Sequence, residues 1–347
     1  MSKPILILDQ HFRKVDELFS GGSFSALSGL AEVKGGVDRP MTEEEIAAHL
    51  GEATFLVGAR PVVTKETLAA APKLKAVIEV SGAFHEEIDY AACHARGVEV
   101  LSCAPGFRQS VAEMGLAMLL AAGRGLVAEH EAFRRGDERW LDDREGTDFT
   151  LFRQKIGFVG YGNIARALHR LLLPFAPEVS AFDPWLKSFP EGVIACSLEE
   201  VCATSRAVVV TAVPSGDNEG LMSAEMIDAM PSGAALILLS RAHVVDFDAA
   251  LAAAEAGRIS FATDVYASEP VPPGDVMRGA SGVIHSPHRA AAVPGGRQLI
   301  GEMILHDVQA ILDGRSERQL LAADPARVEA LVRAQREIER KGKLPNT

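Results

Sequence analysis

The sequence predicts an α/β protein of two doubly wound, parallel-sheet domains, and three observations lead there. Short apolar runs alternate with helical patterns along nearly the whole chain, the rhythm of strands joined by crossover helices. The runs form two successive series, separated by a long apolar helix pattern and a charged stretch. A chain of 347 residues has room for two domains of ordinary size.

In the first series the expected strands are residues 5–9, 54–58, 76–81 and 99–103. Helices are expected at 43–50, started by Thr42 and Glu45 as a capping box, and at 86–96, ended by Gly97. A helix at about 110–124 carries Val111, Met114, Leu116, Met118, Leu119 and Leu120 nearly all round, so burial against more than one neighbour is expected. Residues 129–148, charged and holding Trp140, read as an excursion before a new domain. The second series offers six strands, at 155–159, 179–183, 207–213, 234–240, 260–265 and 282–286, which suits a complete dinucleotide-binding sheet. A helix at about 297–312 ends at Gly314, and a charged tail helix at about 326–341 follows. The chain shows no low-complexity segment and no short repeat.

Composition narrows the function classes. Hydrophobic residues make up 48% and charged residues 24%, as in soluble globular proteins. The formal charge is −12 and no basic block reverses it locally, so neither nucleic acid nor an anionic membrane surface is an expected partner. No run approaches the roughly 18 apolar residues of a membrane span. The opening Met-Ser-Lys-Pro-Ile-Leu-Ile-Leu-Asp reads as a first strand, not a signal peptide. Cys93, Cys103, Cys196 and Cys202 form no CxxC pair and have no histidine at zinc-finger spacing, so no metal is expected. Reduced, buried thiols fit a cytoplasmic location.

The segment Ile156-Gly-Phe-Val-Gly160-Tyr161-Gly162-Asn163-Ile164-Ala165 is a strand running through a glycine turn into a helix. Gly160 permits the tight turn, Gly162 lets backbone approach a pyrophosphate, and Ala165 takes the small position where helix packs on strand. The helix start then offers free N–H groups and a dipole that favours an anion. The next strand ends in Asp183, about 20 residues on, where a carboxylate binds the two ribose hydroxyls and repels a 2′-phosphate. This reads as a Rossmann-type site for NAD, not NADP.

Three later segments each follow a strand of the second series: Ser240-Arg241-Ala-His, Asp264-Val-Tyr-Ala-Ser-Glu269-Pro270, and Ser286-Pro-His288-Arg. Each is therefore expected at the carboxyl edge, where ligands bind. With this ordered set the chain resembles the D-2-hydroxyacid dehydrogenase family, which includes phosphoglycerate, glycerate and D-lactate dehydrogenases. The resemblance runs over about 75–314 and is strongest over 156–290.

The resemblance implies a Rossmann NAD-binding domain over 105–296 and a flavodoxin-like substrate domain from 1–104 with 297–347, with a closing catalytic cleft between them. Arg241 would anchor the carboxylate and polarise the keto group of a 2-oxo acid. His288 would be the acid–base, and Glu269 would hold its imidazole and raise its pKa. Gly160, Tyr161, Gly162, Asn163, Ile164, Asp183, Val213, Pro214, Ser240 and Asp264 would line the cofactor, Asp264 on the nicotinamide carboxamide side. Glu269, where formate dehydrogenases have glutamine, speaks against that branch. The region from Ser110 to Asp148 resembles the family's dimer-forming part, so a homodimer is expected. Because the family also contains corepressors that keep the Arg–Glu–His set, a dinucleotide-sensing binding protein stands as the alternative to an enzyme.

Two stretches depart from the family pattern. Leu238-Leu-Ser-Arg241-Ala242 replaces the usual Asn-Thr-Ala-Arg-Gly. Gly82-Ala83-Phe84-His-Glu86 stands where relatives hold the substrate carboxylate on backbone amides; Gly82 and Ala83 are expected to keep that role, while Phe84 either fills pocket space or joins the core. The acid itself is left open among glyoxylate, hydroxypyruvate and bulkier 2-oxo acids. Glu86 and Glu87 disfavour a phosphorylated one, with Arg108 as a possible counterweight.

Overall fold

The computed structural model describes residues 3–11, 13–141, 148–215 and 217–342. Strands follow the chain as β1 (Ile5–Asp9), β2 (Glu32–Gly35), β3 (Ala53–Gly58), β4 (Ala76–Glu79), β5 (Glu99–Ser102), β6 (Lys155–Val159), β7 (Glu178–Phe182), β8 (Val193–Ala195), β9 (Ala207–Val210), β10 (Ala234–Leu238), β11 (Ile259–Thr263), β12 (Val283–His285) and β13 (Leu321–Ala322). They form two α/β units, one from Met1–Arg108 with Ala291–Arg340 and one from Gln109–Ala290.

The first unit has strand order β13-β5-β4-β3-β1-β2, parallel except for β13, which pairs antiparallel with β5. The parallel part is the flavodoxin-like order. Alternate residues serve two cores. Leu6, Leu8, Phe55, Val57 and Ile78 pack with Phe19, Ile300, Met303 and Ile304, while Ile7, Leu56, Val77 and Val100 pack with Leu68, Phe84, Ile88 and Cys93. A sheet covered on both faces needs apolar residues at every position, which is why these strands read as continuous apolar runs.

The second unit has order β12-β11-β10-β9-β6-β7-β8, all parallel. Counted from β6, this is the Rossmann order with a seventh strand on the outer edge. The fold class expected from the sequence therefore holds, but the count of six strands does not. The additional outer strand is β12; the strand missed in the sequence is β8, third in the Rossmann order and at the opposite edge, whose residues are half-buried or exposed. β2 and β13 were missed for the same reason: an exposed edge strand needs no apolar run.

Helix boundaries follow capping chemistry. Thr42 and Glu45 form the expected capping box on Glu43–Leu50, with bonds of 2.8 and 3.2 Å. The helix expected at 86–96 is only Tyr90–Ala95. Asp89 caps it by accepting from Ala92 N–H at 2.8 Å, and Ile88 is drawn into a bridge with Val63. The apolar helix is Arg108–Gly123. Its burial is one-sided: Val111, Met118 and Leu119 are buried, Met114 and Leu116 half-buried, and Leu120 exposed. The excursion contains a helix, Leu126–Arg135, and its stretch 142–147 lies outside the described residues. The last helices are Gln298–Leu312 and Val328–Gly342. All four cysteines are free thiols. Burial pushes Cys93 up to about 11 and Cys202 up to about 12, which makes them unreactive.

Candidate active site

The glycine turn is built as its spacing predicts. Gly160 has φ +84°, and a Cβ there would lie 2.5 Å from Ala212 Cα, so both the conformation and the close approach demand glycine. A Cβ on Gly162 would meet nothing within 4 Å; the space beside it is open. Gly162 starts the ten-residue helix Asn163–Leu172 with no side-chain cap. Its first-turn amides are therefore left for an anion. Ala165 and Leu168 are fully buried beneath it.

Asp183 follows β7 directly and leans on the turn. One carboxylate oxygen accepts from Tyr161 N–H at 2.8 Å and the other from Trp185 N–H at 2.9 Å. Each oxygen keeps a further lone pair for a ribose hydroxyl. The expected role of Tyr161 needs correction. Its ring is buried, its hydroxyl meets His169 Nδ1 at 2.6 Å, and its N–H is spent on Asp183, so it supports the turn from below. Asn163 is exposed and Ile164 half-buried at the helix start. Val213, 53% exposed, and Pro214 follow β9. Ser240 Oγ, after β10, is buried with no hydrogen-bond partner among the described residues. An uncapped helix start, an open glycine, an exposed valine and an orphaned hydroxyl along one sheet edge fit a dinucleotide.

The His288–Glu269 pair lies at the same edge. His288 Nδ1 meets Glu269 Oε2 at 2.5 Å, and Glu269 Oε1 accepts from Tyr266 N–H at 2.8 Å. The histidine side chain is 43% exposed and the glutamate 14%, so the outward ring nitrogen, Nε2, is the accessible one. Burial works to raise the Glu269 carboxyl, but the His288 bond and charge, Tyr266 N–H and Arg241 outweigh it and hold it below its ordinary value. Arg241 is half-buried and donates to Ser240 O at 2.8 Å. Burial lowers its pKa while Glu269 and Asp264 pull it back; it is a cation at any working pH.

Asp264 takes a part that the sequence did not disclose. It is 2% exposed. Its Oδ1 accepts from Ser286 Oγ at 2.5 Å and Arg289 N–H at 2.8 Å, and its Oδ2 from Ala290 N–H at 3.0 Å. Its own carbonyl accepts from His288 N–H at 2.8 Å. Asp264 thus grips the histidine loop on both sides of His288, where the expectation had it facing the nicotinamide. The grip holds His288 at φ +51°, a conformation that costs an ordinary residue about 1–2 kcal/mol and persists only where neighbours over-determine it. Ser286, in the Ser-Pro-His sequence, was the available signal.

In the first unit the loop after β4 departs from expectation. Glu79 is fully buried. Its Oε2 accepts from Ser81 N–H at 2.9 Å, Ser81 Oγ at 2.6 Å and Gly82 N–H at 2.9 Å, and its Oε1 accepts from Ser102 Oγ. The Gly82 amide is therefore already spent on an internal carboxylate. Ala83 N–H reaches only Ser81 Oγ, at 3.4 Å. Phe84 is core: 5% exposed, its ring meets Tyr90 edge-on at 5.9 Å. Among the described residues no group of His, Cys, Asp and Glu is arranged to hold a metal, and no single helix is long and apolar enough to cross a membrane.

Residues 116–290 match the family model of the D-isomer specific 2-hydroxyacid dehydrogenase NAD-binding domain. A crystal structure of a phosphoglycerate oxidoreductase from Rhizobium etli is 34% identical with a TM-score of 0.81, covering 93% of this chain and 99% of that one. A D-3-phosphoglycerate dehydrogenase of Mycobacterium bovis is 28% identical over 319 residues, which is 90% of this chain but 58% of that protein. A glycerate dehydrogenase of Methylorubrum extorquens is 26% identical over 80% of this chain and 88% of that protein. The chain belongs to the D-isomer specific 2-hydroxyacid dehydrogenase family, and its cofactor is NAD. It spans little more than half the length of the mycobacterial relatives.

Proposed function

We propose that the protein is an NAD-dependent dehydrogenase that interconverts a 2-oxo acid and a D-2-hydroxy acid. The 2.5 Å His288–Glu269 pair, at the sheet edge that carries the glycine turn, is the observation that supports this most. When bound, the nicotinamide supplies the hydride to the keto carbon, or accepts it in reverse. His288 holds a proton at Nε2 and gives it to the carbonyl oxygen, with Glu269 fixing the ring through Nδ1. Arg241 anchors the carboxylate and draws charge toward the carbonyl oxygen through a planar fork that does not lose its proton. Asp183, accepting from the ribose hydroxyls and repelling a 2′-phosphate, would distinguish NAD from NADP.

The test is a panel of 2-oxo acids assayed with NADH for wild type and His288→Ala. Turnover by wild type alone supports the proposal; NADH binding without turnover of any acid points to the dinucleotide-sensing alternative. A homodimer is part of the proposal. Leu126, Phe133 and Trp140 are exposed at 61%, 62% and 78%, and the flank of Arg108–Gly123 that carries Leu120 is left uncovered. Apolar exposure on this scale favours a protein partner, and sedimentation equilibrium checks it. A cytoplasmic setting, in which the four thiols stay reduced, completes the proposal.

A further inference from the structure

The chain passes into the second unit between Arg108 and Gln109 and out of it between Ala290 and Ala291, so the way out begins two residues after His288. One side chain ties the two crossings together. Ser110 Oγ donates to Ala290 O at 2.5 Å, with Ser110 8% and Ala290 5% exposed. The helix that carries Ser110, Arg108–Gly123, is seated on the second unit. Val111 and Ala112 are buried. A Cβ on Gly115 would lie 2.7 Å from Leu239 Cδ1 and 3.0 Å from Leu168 Cδ2. The helix thus backs both the segment that leads to Ser240 and Arg241 and the helix that follows the glycine turn. Asp264 fixes the amides of His288, Arg289 and Ala290, while Ser110 fixes the carbonyl of the last residue before the chain departs. A buried carbonyl needs a donor, and the Ser110 hydroxyl supplies it. A loop that holds His288 at φ +51° keeps that conformation only while its neighbours over-determine it.

We infer that Ser110 is a positioning residue for His288: its hydroxyl pins Ala290 and so keeps the histidine loop in place where the chain leaves the second unit. The consequence for turnover rests on the dehydrogenase reading above; the pin itself rests on hydrogen bonds inside the second unit. Ser110 acts through Ala290 and the loop, not on a reacting atom. Without the hydroxyl, a displacement of the departing chain at Ala291 is passed back to the imidazole over two residues. With it, the displacement stops at a residue anchored to a packed helix. Glu269 holds the ring through Nδ1, so a loop shift that loosens this bond also misdirects Nε2. A misplacement of about 1 Å in such a group costs up to about 100-fold in rate.

The experiment compares wild type with Ser110→Ala, Ser110→Val and Ser110→Thr. Valine and threonine are both β-branched and nearly alike in shape, so that pair separates the hydroxyl from packing. Hydrogen exchange read by mass spectrometry, without ligand, follows the amides of residues 288–290. Steady-state kinetics with NADH, on the 2-oxo acid that wild type reduces best, follows kcat and KM. In the alanine and valine variants those amides are expected to exchange about tenfold faster. Their kcat is expected to fall about tenfold, with KM and NADH affinity within about twofold of wild type. Threonine should restore both exchange and kcat. If the alanine variant fails to fold, the valine–threonine comparison decides. Equal kcat in the valine and threonine variants, or a loss of kcat matched by an equal loss of NADH affinity, overturns the inference and leaves the dehydrogenase reading standing. Wild type that binds NADH and turns over no acid rejects the dehydrogenase reading instead. The exchange arm then decides the pin by itself: faster exchange in valine than in threonine supports it, and equal rates overturn it.

Discussion

At the carboxyl edge of β6–β12, polar groups are left waiting. Among the described residues Ser240 Oγ is buried without a partner, the helix at Asn163 starts uncapped, and His288 is partly exposed with one ring nitrogen on Glu269. At the carboxyl edge of β1–β5 the polar groups are spent on each other, from the Glu79 nest to the Arg60–Glu87 pair. Both edges belong to doubly wound sheets, where ligands are taken at this end. A native chain leaves a buried polar group unpaired only at a cost of about 1–3 kcal/mol, so the unspent groups mark where a ligand completes the structure. The spent ones are completed by the chain itself.

The sharpest break of this contrast is at His288. His288→Ala is expected to lower kcat about 10²–10⁴-fold with NADH affinity unchanged, read by steady-state kinetics and fluorescence titration. Equal losses in kcat and NADH affinity would place His288 in cofactor binding instead. Next comes Gly160→Ala. A Cβ 2.5 Å from Ala212 Cα at φ +84° forces the turn to move, and αL strain adds about 1–2 kcal/mol. The rise in melting temperature that NADH gives wild type should be lost, while the first unit still folds.

Much of the fold was legible in sequence. The candidate residues Gly160, Asp183, Arg241, Glu269 and His288 stand out because they occur as particular residue types in a particular order, and order survives in one dimension. The continuous apolar strands were legible because both faces of each sheet are buried. What escaped were features that spacing does not encode. β2, β8 and β13 are exposed edges with no apolar run. Phe84 and Glu79 are five residues apart, yet one faces a core and the other turns back into a nest. No local pattern distinguishes them, because both depend on the turn at Gly82, whose φ is +96°. Asp264 looked like a ligand-facing carboxylate because it follows a strand; only the return of residues 286–290 shows that the loop consumes it.

Two further outcomes probe one carboxylate at each edge, Glu79 in the first unit and Glu269 in the second. Glu79→Ala strips the acceptor from Ser81 N–H, Gly82 N–H and Ser102 Oγ at once, so a loss of about 3 kcal/mol or more is expected in urea unfolding of the first unit. The pH dependence runs through Glu269, whose carboxyl is held below its ordinary 4.5. A depressed carboxyl stabilises fully above its unfolded value and loses that contribution only as pH falls through the lower folded one. Wild type and Glu269→Gln should therefore still differ in melting temperature at about pH 5 and converge only below about pH 4. Convergence already at neutral pH would show that Glu269 is not the ionised member of the pair.

The smallest effect separates the two edges most cleanly. Ser240→Ala removes a hydroxyl that has no partner among the described residues. Removing an unpaired buried polar atom costs the folded chain nothing in hydrogen bonds and relieves its desolvation. The melting temperature without cofactor should hold or rise slightly, by no more than about 0.5 kcal/mol equivalent. If the hydroxyl is kept for the cofactor, its loss surfaces only on binding, as a few-fold to about tenfold weaker NADH affinity, or about 1 kcal/mol. Stability and affinity then move in opposite directions, which a packing defect cannot produce, since a cavity would lower both. A drop in cofactor-free stability with NADH affinity intact would mean that Ser240 is only a core residue, and that the edge of the second sheet is less open than its geometry indicates.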